Sequence, residues 1–209
     1  MPRHDVSMSA SDPAATSLDA LAADVLRRYG YRFGVAESAA ERAVAYRIRY
    51  QAVVERQWLP AETFDADREC DRYDDAAVHL VGWDGAEPVA TGRLVLPPGP
   101  LPTEDAWGIA VEPRGQVVDV GRMAVVRSHQ SHRHAVFVAL LARLYLEMRS
   151  RGYEVACGVM SPSARSLVRM LGLRLEVVGE EREYWGERRA PVRFTLTGSA
   201  DSLRAAWRA

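Results

Sequence analysis

Residues 117–126 have the sequence VVDVGRMAVV, an apolar strand pattern interrupted by an aspartate, a glycine and an arginine. The polar segment RSHQSHRH follows at residues 127–134, and the apolar spacing of residues 135–151 predicts a long helix. Residues 155–160, VACGVM, then predict a buried strand, and residues 163–171 predict a further helix that a glycine ends. Strands and helices therefore alternate over this part of the chain.

The N-terminal half adds two helices and a hairpin. Apolar residues at helical spacing predict helices at residues 18–29 and 39–55. Residues 78–83 and 88–96 predict two strands joined by an Asp-Gly turn, which is a strong hairpin signal. Because the hairpin imposes antiparallel pairing while helices interleave with strands, we predict an α/β (α+β) fold, with a mixed, mostly antiparallel sheet and helices on both faces. The alternative, a doubly wound dinucleotide-binding fold, needs a glycine-rich turn after its first strand, and this chain has none.

The remaining segments carry weaker patterns. Short strands are predicted at residues 31–36, 173–178 and 192–197, and irregular loops at residues 58–75 and 97–116. The division of the chain that follows is a disordered leader at residues 1–17, one domain at residues 18–198, and a C-terminal tail or short helix at residues 199–209.

The composition excludes several classes of protein. The 209 residues carry 27 basic and 28 acidic side chains, a balance that gives no reason to expect nucleic acid or an anionic membrane as a partner. No stretch approaches the ~18 apolar residues of a membrane span, and the N-terminus lacks the apolar segment of a secretory signal. Cys70 and Cys157 form no metal-binding pattern, so we expect reduced thiols in a cytoplasmic protein without metal.

Four segments together carry a family resemblance: RIRYQAVVERQW at residues 47–58, DRYD at 71–74, TGRL at 91–94 and DVGRMAV at 119–125. They resemble motifs of the GNAT acyltransferases, and more closely those of the branch that contains the acyl-homoserine-lactone (autoinducer) synthases and N-acyl amino acid synthases. Each is weak alone, but their order and spacing agree with the family over residues 31–197. The resemblance implies the GNAT fold and an acyltransferase with no permanently bound cofactor, which takes acyl-ACP (an acyl carrier protein) or acyl-CoA as cosubstrate.

Three departures from the lactone-synthase pattern are visible. Val53 stands where an aromatic residue is usual, Trp58 follows its arginine one residue early, and Asp119 stands where a glutamate is usual. These departures bear on lactone formation more than on acyl transfer, and the acidic loop followed by YDDAAVHLV is more similar to the N-acyl amino acid synthases.

The resemblance also implies site residues. Asp119 is the candidate general base, and a carboxylate needs burial to raise its pKa toward neutrality; the alternative is a structural partner for Arg122. Arg122 is placed with Asp119 in the catalytic group. We expect the charged side chains of this region to form a buried, substrate-binding lattice, since buried charges must be paired. Its members are Arg49, Asp71, Asp74, Arg93 and Arg122. Trp58 is a candidate wall of the acyl or acceptor site, as are Trp83 and Trp107, although single tryptophans are usually packing residues.

The donor site is expected on the strand at residues 119–126 and the loop after it. The resemblance assigns the pantetheine arm to the backbone of Met123, Ala124 and Val125, with a bulge at Gly121. Acetyl-CoA users carry a glycine-rich pyrophosphate loop next, but residues 127–134 contain no glycine and concentrate basic side chains, among them Arg127, His132 and Arg133. This composition favours the phosphopantetheine of an acyl carrier protein as partner, and a solvated polar loop is the alternative. The apolar residues of the helix at 135–148 are core or acyl pocket.

The predicted function is transfer of a fatty-acyl group to the amine of an amino acid-like small molecule. The alternatives are an acyl-homoserine-lactone synthase that uses S-adenosylmethionine, an acetyl-CoA-dependent GNAT, and a catalytically silent GNAT-like binding module. The acyl chain length, the acceptor and the oligomeric state are left open by the sequence.

Overall fold

One twisted sheet organises the protein, whose computed structural model describes residues 13–130 and 134–208. Its strands are β1 (Arg32–Val35), β2 (Val78–Asp84), β3 (Glu87–Val95), β4 (Val117–Val125), β5 (Val155–Met160), β6 (Leu175–Val177), β7 (Arg182–Tyr184) and β8 (Glu187–Thr195). The spatial order is β1-β2-β3-β4-β5-β8-β6, and β7 pairs with β8. Pairing within the described residues is antiparallel except between β4 and β5, as predicted for a mixed, mostly antiparallel sheet.

Helices cover both faces of the sheet, as predicted. They are α1 (Pro13–Tyr29), α2 (Ala39–Glu55), α3 (Pro102–Trp107), α4 (Ala135–Ser150), α5 (Pro162–Met170) and α6 (Leu196–Arg208). The main core joins α1, α4 and α6 to one face, where side chains such as Val25, Leu140 and Leu203 are fully buried. Helices α2 and α3 cover the other face through two smaller clusters, centred on Ile48 and Leu101. Successive residues of a strand pack into clusters on opposite faces of the sheet, as Leu80 and Val81 do. This alternation is expected for a strand that is buried on both sides.

The predicted helices and strands agree with the structure where the apolar pattern is long. Helix α2 has the predicted bounds and begins with a capping box, in which Ser38 accepts a hydrogen bond from the Glu41 amide and the Glu41 side chain accepts one from the Ser38 amide. Strand β5 also has the predicted bounds. Within the described residues, no helix is long and apolar enough to cross a membrane.

Three local predictions were wrong. Helix α1 begins at Pro13 instead of residue 18, so residues 13–17 of the predicted leader are helical. The rest of that leader, residues 1–12, lies outside the described part of the chain. Helix α3 lies inside the predicted loop at 97–116. The hairpin of β7 and β8 occupies a segment in which only a strand at 192–197 was expected. At the C-terminus, where a tail or a short helix was expected, the structure has the helix, although α6 already begins at Leu196 and packs Leu203 and Trp207 into the main core.

Candidate active site

A cavity of about 640 Å³ opens where β4 and β5 separate. The two strands pair only over three positions, the last of which matches Asp119 with Cys157. At the next position a Cβ on Gly158 would lie 2.5 Å from the carbonyl oxygen of Val120, so the close approach of the strands there requires glycine. Beyond this point residues 120–125 of β4 and residues 159–160 of β5 line the cavity between them.

A bulge in β4 aims Arg122 at this cavity. Thr91 of β3 pairs with Ala124 and Arg93 pairs with Gly121, so two steps on β3 match three steps on β4. The predicted bulge is therefore present, and within it the residue in the left-handed conformation is Arg122, with a φ of 53°, and not Gly121. A non-glycine residue in this conformation costs about 1–3 kcal/mol, which the surrounding contacts must offset.

Arg122 belongs to a lattice of three arginines and three carboxylates. Arg49 donates to both carboxylate oxygens of Asp74, at 2.9 and 3.0 Å, and to Glu69. Arg93 bridges Asp71 and Asp74, with both contacts at 2.7 Å. Arg122 donates to Glu69 at 3.0 Å and to Asp71 at 2.8 Å, which closes the ring.

The predicted pairing of the five lattice residues is confirmed, and Glu69 is the member that sequence reasoning missed. Glu69 is 1% exposed and accepts from two different arginines, so it joins α2 to β4 across the acidic loop. Glu69 is one of several acidic residues at 58–75, and no sequence pattern indicates that its carboxylate would be buried when those of its neighbours are not. Asp71 and Asp74 do not line the cavity, whereas Glu69 and the three arginines do.

The ion pairs of the lattice shift the pKa values of Asp74 and Arg49. Burial by itself raises the pKa of Asp74, but the hydrogen bonds and charges of Arg49 and Arg93 outweigh it and hold that pKa well below its ordinary value. The same contacts keep Arg49 charged although it is 2% exposed, because they raise its pKa against the effect of burial. Asp74 and Arg49 therefore stay ionised at physiological pH, and their ion pair ties the acidic loop to α2.

Asp119 lies on β4 at the point where the strands begin to separate, and it is 3% exposed. Its Oδ2 accepts a hydrogen bond from the amide of Thr103, at 2.7 Å, and one from the thiol of Cys157, at 3.7 Å. Burial raises the pKa of Asp119, partly opposed by the contacts with Thr103 and by the charges of Arg93 and Arg122. This is the direction that a general base requires. The structure does not pair Asp119 with Arg122, since its hydrogen bonds go to Thr103 and Cys157.

The other carboxylate oxygen of Asp119 is free in the described part of the chain. Oδ1 lies 3.5 Å from the point that a Cβ would occupy at Gly121, in a wall of the cavity. The short helix α3, which sequence reasoning read as loop, therefore has a role at the site. Its second residue, Thr103, holds Oδ2, and this fixes the orientation of the carboxylate.

The cavity-facing edge of β4 carries backbone groups that β5 does not pair. The amide of Val126 donates to Val89 on the β3 side, so the N–H and C=O of Val125 point to the opposite, open edge. There the side-chain amide of Gln130 donates to the Val125 carbonyl at 2.7 Å. Met123, Ala124 and Val125 all line the cavity, as expected of the predicted pantetheine strand, although their role in binding stays a prediction.

The predicted donor loop is only partly described. Arg127 lies in an exposed 3-10 turn and does not line the cavity, whereas its neighbours His129, Gln130 and His134 do. His132 and Arg133 lie outside the described residues. Among the residues that the structure describes, no three histidine, cysteine or acidic side chains are grouped as metal ligands.

Aromatic residues form a part of the cavity wall next to the lattice, where Arg122 packs over the ring of Trp185. Trp58, after α2, lines the cavity as predicted, and it is joined by Tyr184 and Trp185 from the β7–β8 hairpin. Trp83 and Trp107 do not line it: Arg32 packs over the ring of Trp83, and Trp107 donates to the carbonyl of Glu180.

A narrow apolar crevice adjoins the cavity. Val120, Met123 and Met160 line both spaces, and the rest of the crevice is made by α4, α6 and neighbouring residues. From α4 it takes Leu141, Leu144, Tyr145 and Met148, so these residues of the predicted helix border a space as well as the core.

Comparisons with known proteins agree with this geometry. The family model described as N-acyl amino acid synthase FeeM matches residues 44–194, well over half of the chain. The AHL synthase LasI is similar in structure with a TM-score of 0.65 at 15% identity, over 84% of this chain and 94% of LasI. FeeM, an N-acyl amino acid synthase from uncultured soil microbes, has a TM-score of 0.64 at 14% identity, over 86% of this chain and 98% of its own. BjaI, a CoA-dependent acyl-homoserine lactone synthase solved with SAM and isopentyl-CoA, has a TM-score of 0.63 at 20% identity, over 79% and 81%. These likenesses confirm the predicted fold.

Proposed function

Since the chain belongs to the FeeM family of N-acyl amino acid synthases and is therefore an acyltransferase, we propose that it transfers a fatty-acyl group from the thioester of an acyl carrier protein to the amine of an amino acid. One observation carries the proposal. A buried carboxylate, Asp119, and a stretch of β4 that β5 does not pair, with Met123 and Val125, line the same cavity, at the point where β4 leaves β5.

The donor is proposed to bind along the open edge of β4. The pantetheine arm contains amide groups that can pair with strand backbone as a neighbouring strand would. The carbonyl of Val125 already accepts from Gln130 at 2.7 Å, and a pantetheine amide would replace or share that contact. The thioester carbonyl would then lie in the cavity beside Asp119.

Asp119 is proposed to take the proton that the amine loses. The amine nitrogen attacks the thioester carbonyl, the C–N bond forms and the C–S bond breaks. The pantetheine sulfur leaves as the thiol when it takes from Asp119 the proton that the amine lost. Thr103 and Cys157 hold Oδ2, so Oδ1 is the oxygen available for the proton. Because the buried aspartate favours its neutral form more than an exposed one does, it accepts a proton more readily at neutral pH.

The fatty chain is proposed to enter the apolar crevice. Met123 and Met160 separate the cavity from the crevice, and flexible methionine side chains can move aside for a ligand. The crevice is lined by apolar and aromatic residues throughout its described wall, which suits a hydrocarbon chain, but its volume is about 40 Å³, so the chain must displace side chains to enter it.

The choice of donor rests on the loop after β4. Residues 127–134 contain no glycine, and a tight backbone cradle for the pyrophosphate of CoA favours glycine. The loop instead carries arginines and histidines that suit a single phosphate on an acidic carrier protein. Acyl-CoA is the alternative donor, since the structurally similar BjaI is a CoA-dependent synthase.

Mass spectrometry of lipid extracts tests this function. Cells that express the chain are compared with cells that express Asp119→Asn and with cells that carry an empty vector. The expected result is an N-acyl amino acid that only the unchanged chain produces in quantity. Acyl lactones would favour the S-adenosylmethionine reaction, and N-acetyl products would favour an acetyl-CoA enzyme. Extracts that all match the empty vector would favour a silent binding module and refute the proposal.

A further inference from the structure

The tip of the β7–β8 hairpin is fixed against the segment after α2. Its turn residues, Trp185 and Gly186, have φ values of 54° and 69°, which is typical of a type I′ turn. A Cβ on Gly186 would lie 2.6 Å from the carbonyl oxygen of Trp58, so the turn packs closely on that backbone because Gly186 has no side chain. This contact brings β8 to the wall of the cavity.

Arg189 of β8 reaches that wall as a largely buried cation. Its side chain is 13% exposed, and its guanidinium carbon lies 4.3 Å from the centroid of the Trp58 ring. Nη2 lies 2.9 Å from Oε1 of Glu187, but neither Nη2 nor Nε, both buried, makes a hydrogen bond within the described part of the chain. Burial lowers the pKa of Arg189, although the charge of Glu187 opposes the shift.

The lattice arginines differ from Arg189 in this respect. Arg49, Arg93 and Arg122 each donate to two carboxylates, whereas Arg189 donates to none of the described residues. The charge of Arg189 is paired with Glu187, but its buried Nε and Nη2 atoms lack hydrogen bonds, and an anion that enters the cavity would supply them. Two aromatic rings next to these cations suit a small amphipathic ligand: Arg189 and Arg56 pack over Trp58, and Arg122 packs over Trp185 at 4.2 Å.

We propose that Arg189 binds the carboxylate of the acceptor amino acid, with Trp58 and Trp185 beside the acceptor side chain. Arg189 is then the residue by which this enzyme selects α-amino acids over amines that lack a carboxylate. The inference rests on the proposed function, because it assigns the substrate class to the same cavity.

The test compares free amino acids with their carboxamides, which keep the amine and the side chain but lose the negative charge. Purified full-length chain is given dodecanoyl acyl carrier protein and an equimolar mixture of the protein amino acids, or the matching mixture of carboxamides, and products are identified by mass. We expect a preference of about 100-fold or more for the free acid, since two charge-assisted hydrogen bonds to Arg189 are lost with the amide.

Arg189→Gln should remove this preference by lowering kcat/KM for the acids and leaving that for the carboxamides. The matched control is Arg188→Gln, one residue away on the same strand, whose side chain is 65% exposed and pairs with Glu181 outside the cavity. This control should keep the full preference. Circular dichroism and the melting temperature confirm that both variants are folded, and Arg189→Lys, which keeps the charge, should recover part of the selectivity.

The outcomes separate the two proposals. Equal acylation of acids and carboxamides by the unchanged chain would overturn the role of Arg189 and leave the proposed function intact. A rise in KM for the acyl donor alone in Arg189→Gln would also overturn it, because the arginine would then face the donor phosphate. If no amine is acylated, the proposed function fails. In that case, the inference is tested by adding the amino acid mixture and measuring tryptophan fluorescence. The inference is upheld if the mixture quenches the fluorescence of the unchanged chain but not that of Arg189→Gln. It is refuted if the unchanged chain shows no quenching.

Discussion

Replacement of Glu69 by glutamine is expected to destabilise the protein strongly. Glu69 accepts hydrogen bonds from the Nε atoms of Arg49 and Arg122, and the Arg49–Glu69 pair is 2% and 1% exposed. A glutamine amide leaves one oxygen for two guanidinium donors and turns an NH₂ group toward one of them. Removal of one partner from a buried ion pair costs about 3–5 kcal/mol, because the remaining charge stays buried without compensation.

Urea unfolding followed by tryptophan fluorescence measures this effect. The free energy of unfolding should fall by about 3–5 kcal/mol in Glu69→Gln, and the melting temperature by roughly 6–20 °C for a chain of this size. Glu62→Gln makes the same change at an exposed glutamate of the same loop and should stay within about 0.5 kcal/mol of the unchanged protein. A loss below about 1 kcal/mol in Glu69→Gln would refute the view that the lattice is a buried, mutually dependent unit.

Three other predictions concern the cavity. Asp119→Asn should lower kcat by about 10²–10⁴-fold in an amine-acylation assay. The free energy of unfolding of Asp119→Asn should at the same time be unchanged or higher at pH 7. The reason is that the folded pKa of Asp119 is raised, so the ionised carboxylate opposes folding at every pH above its unfolded pKa. A marked loss of stability would contradict this account. Asp74, whose folded pKa is lowered, contributes stability that is present above its unfolded pKa, near 4, and is lost as the pH falls below it; urea titrations at pH 3 and pH 7 should therefore differ less for Asp74→Asn than for the unchanged chain. Gly158→Ala should cost about 1–3 kcal/mol, because the new methyl group meets the Val120 carbonyl, and an unfolding curve that matches the unchanged protein would show that β4 and β5 can separate there freely.

The long periodic segments could be predicted from the sequence because their patterns are strong. Helix α2 combines regular apolar spacing with a capping box, and β5 is a short apolar run with clear ends. The arginines and aspartates of the lattice were found through the resemblance, since a charged residue in an apolar strand, such as Arg93, needs a partner.

The parts that were missed depend on contacts between distant segments. Strands β7 and β8 are rich in arginine and glutamate, and their Trp-Gly turn lacks the usual asparagine or aspartate. No local sequence pattern therefore predicts this hairpin. Helix α3 has only six residues, and its value to the site is one backbone amide on Asp119. The positive φ of Arg122 is held by Glu69 and Asp71, which are more than fifty residues away along the chain.

Amine-dependent consumption of an acyl thioester by the purified chain tests the central claim most directly. Dodecanoyl acyl carrier protein is mixed with the chain and the amino acid mixture. The released pantetheine thiol is quantified, and the product is identified by mass spectrometry. The account predicts one thiol released for each N-dodecanoyl amino acid formed, a rate that falls by about 10²-fold or more with Asp119→Asn, and slower turnover with dodecanoyl-CoA. Thiol release that does not depend on the amino acids, or faster turnover of acetyl-CoA than of the long-chain carrier protein, would contradict it.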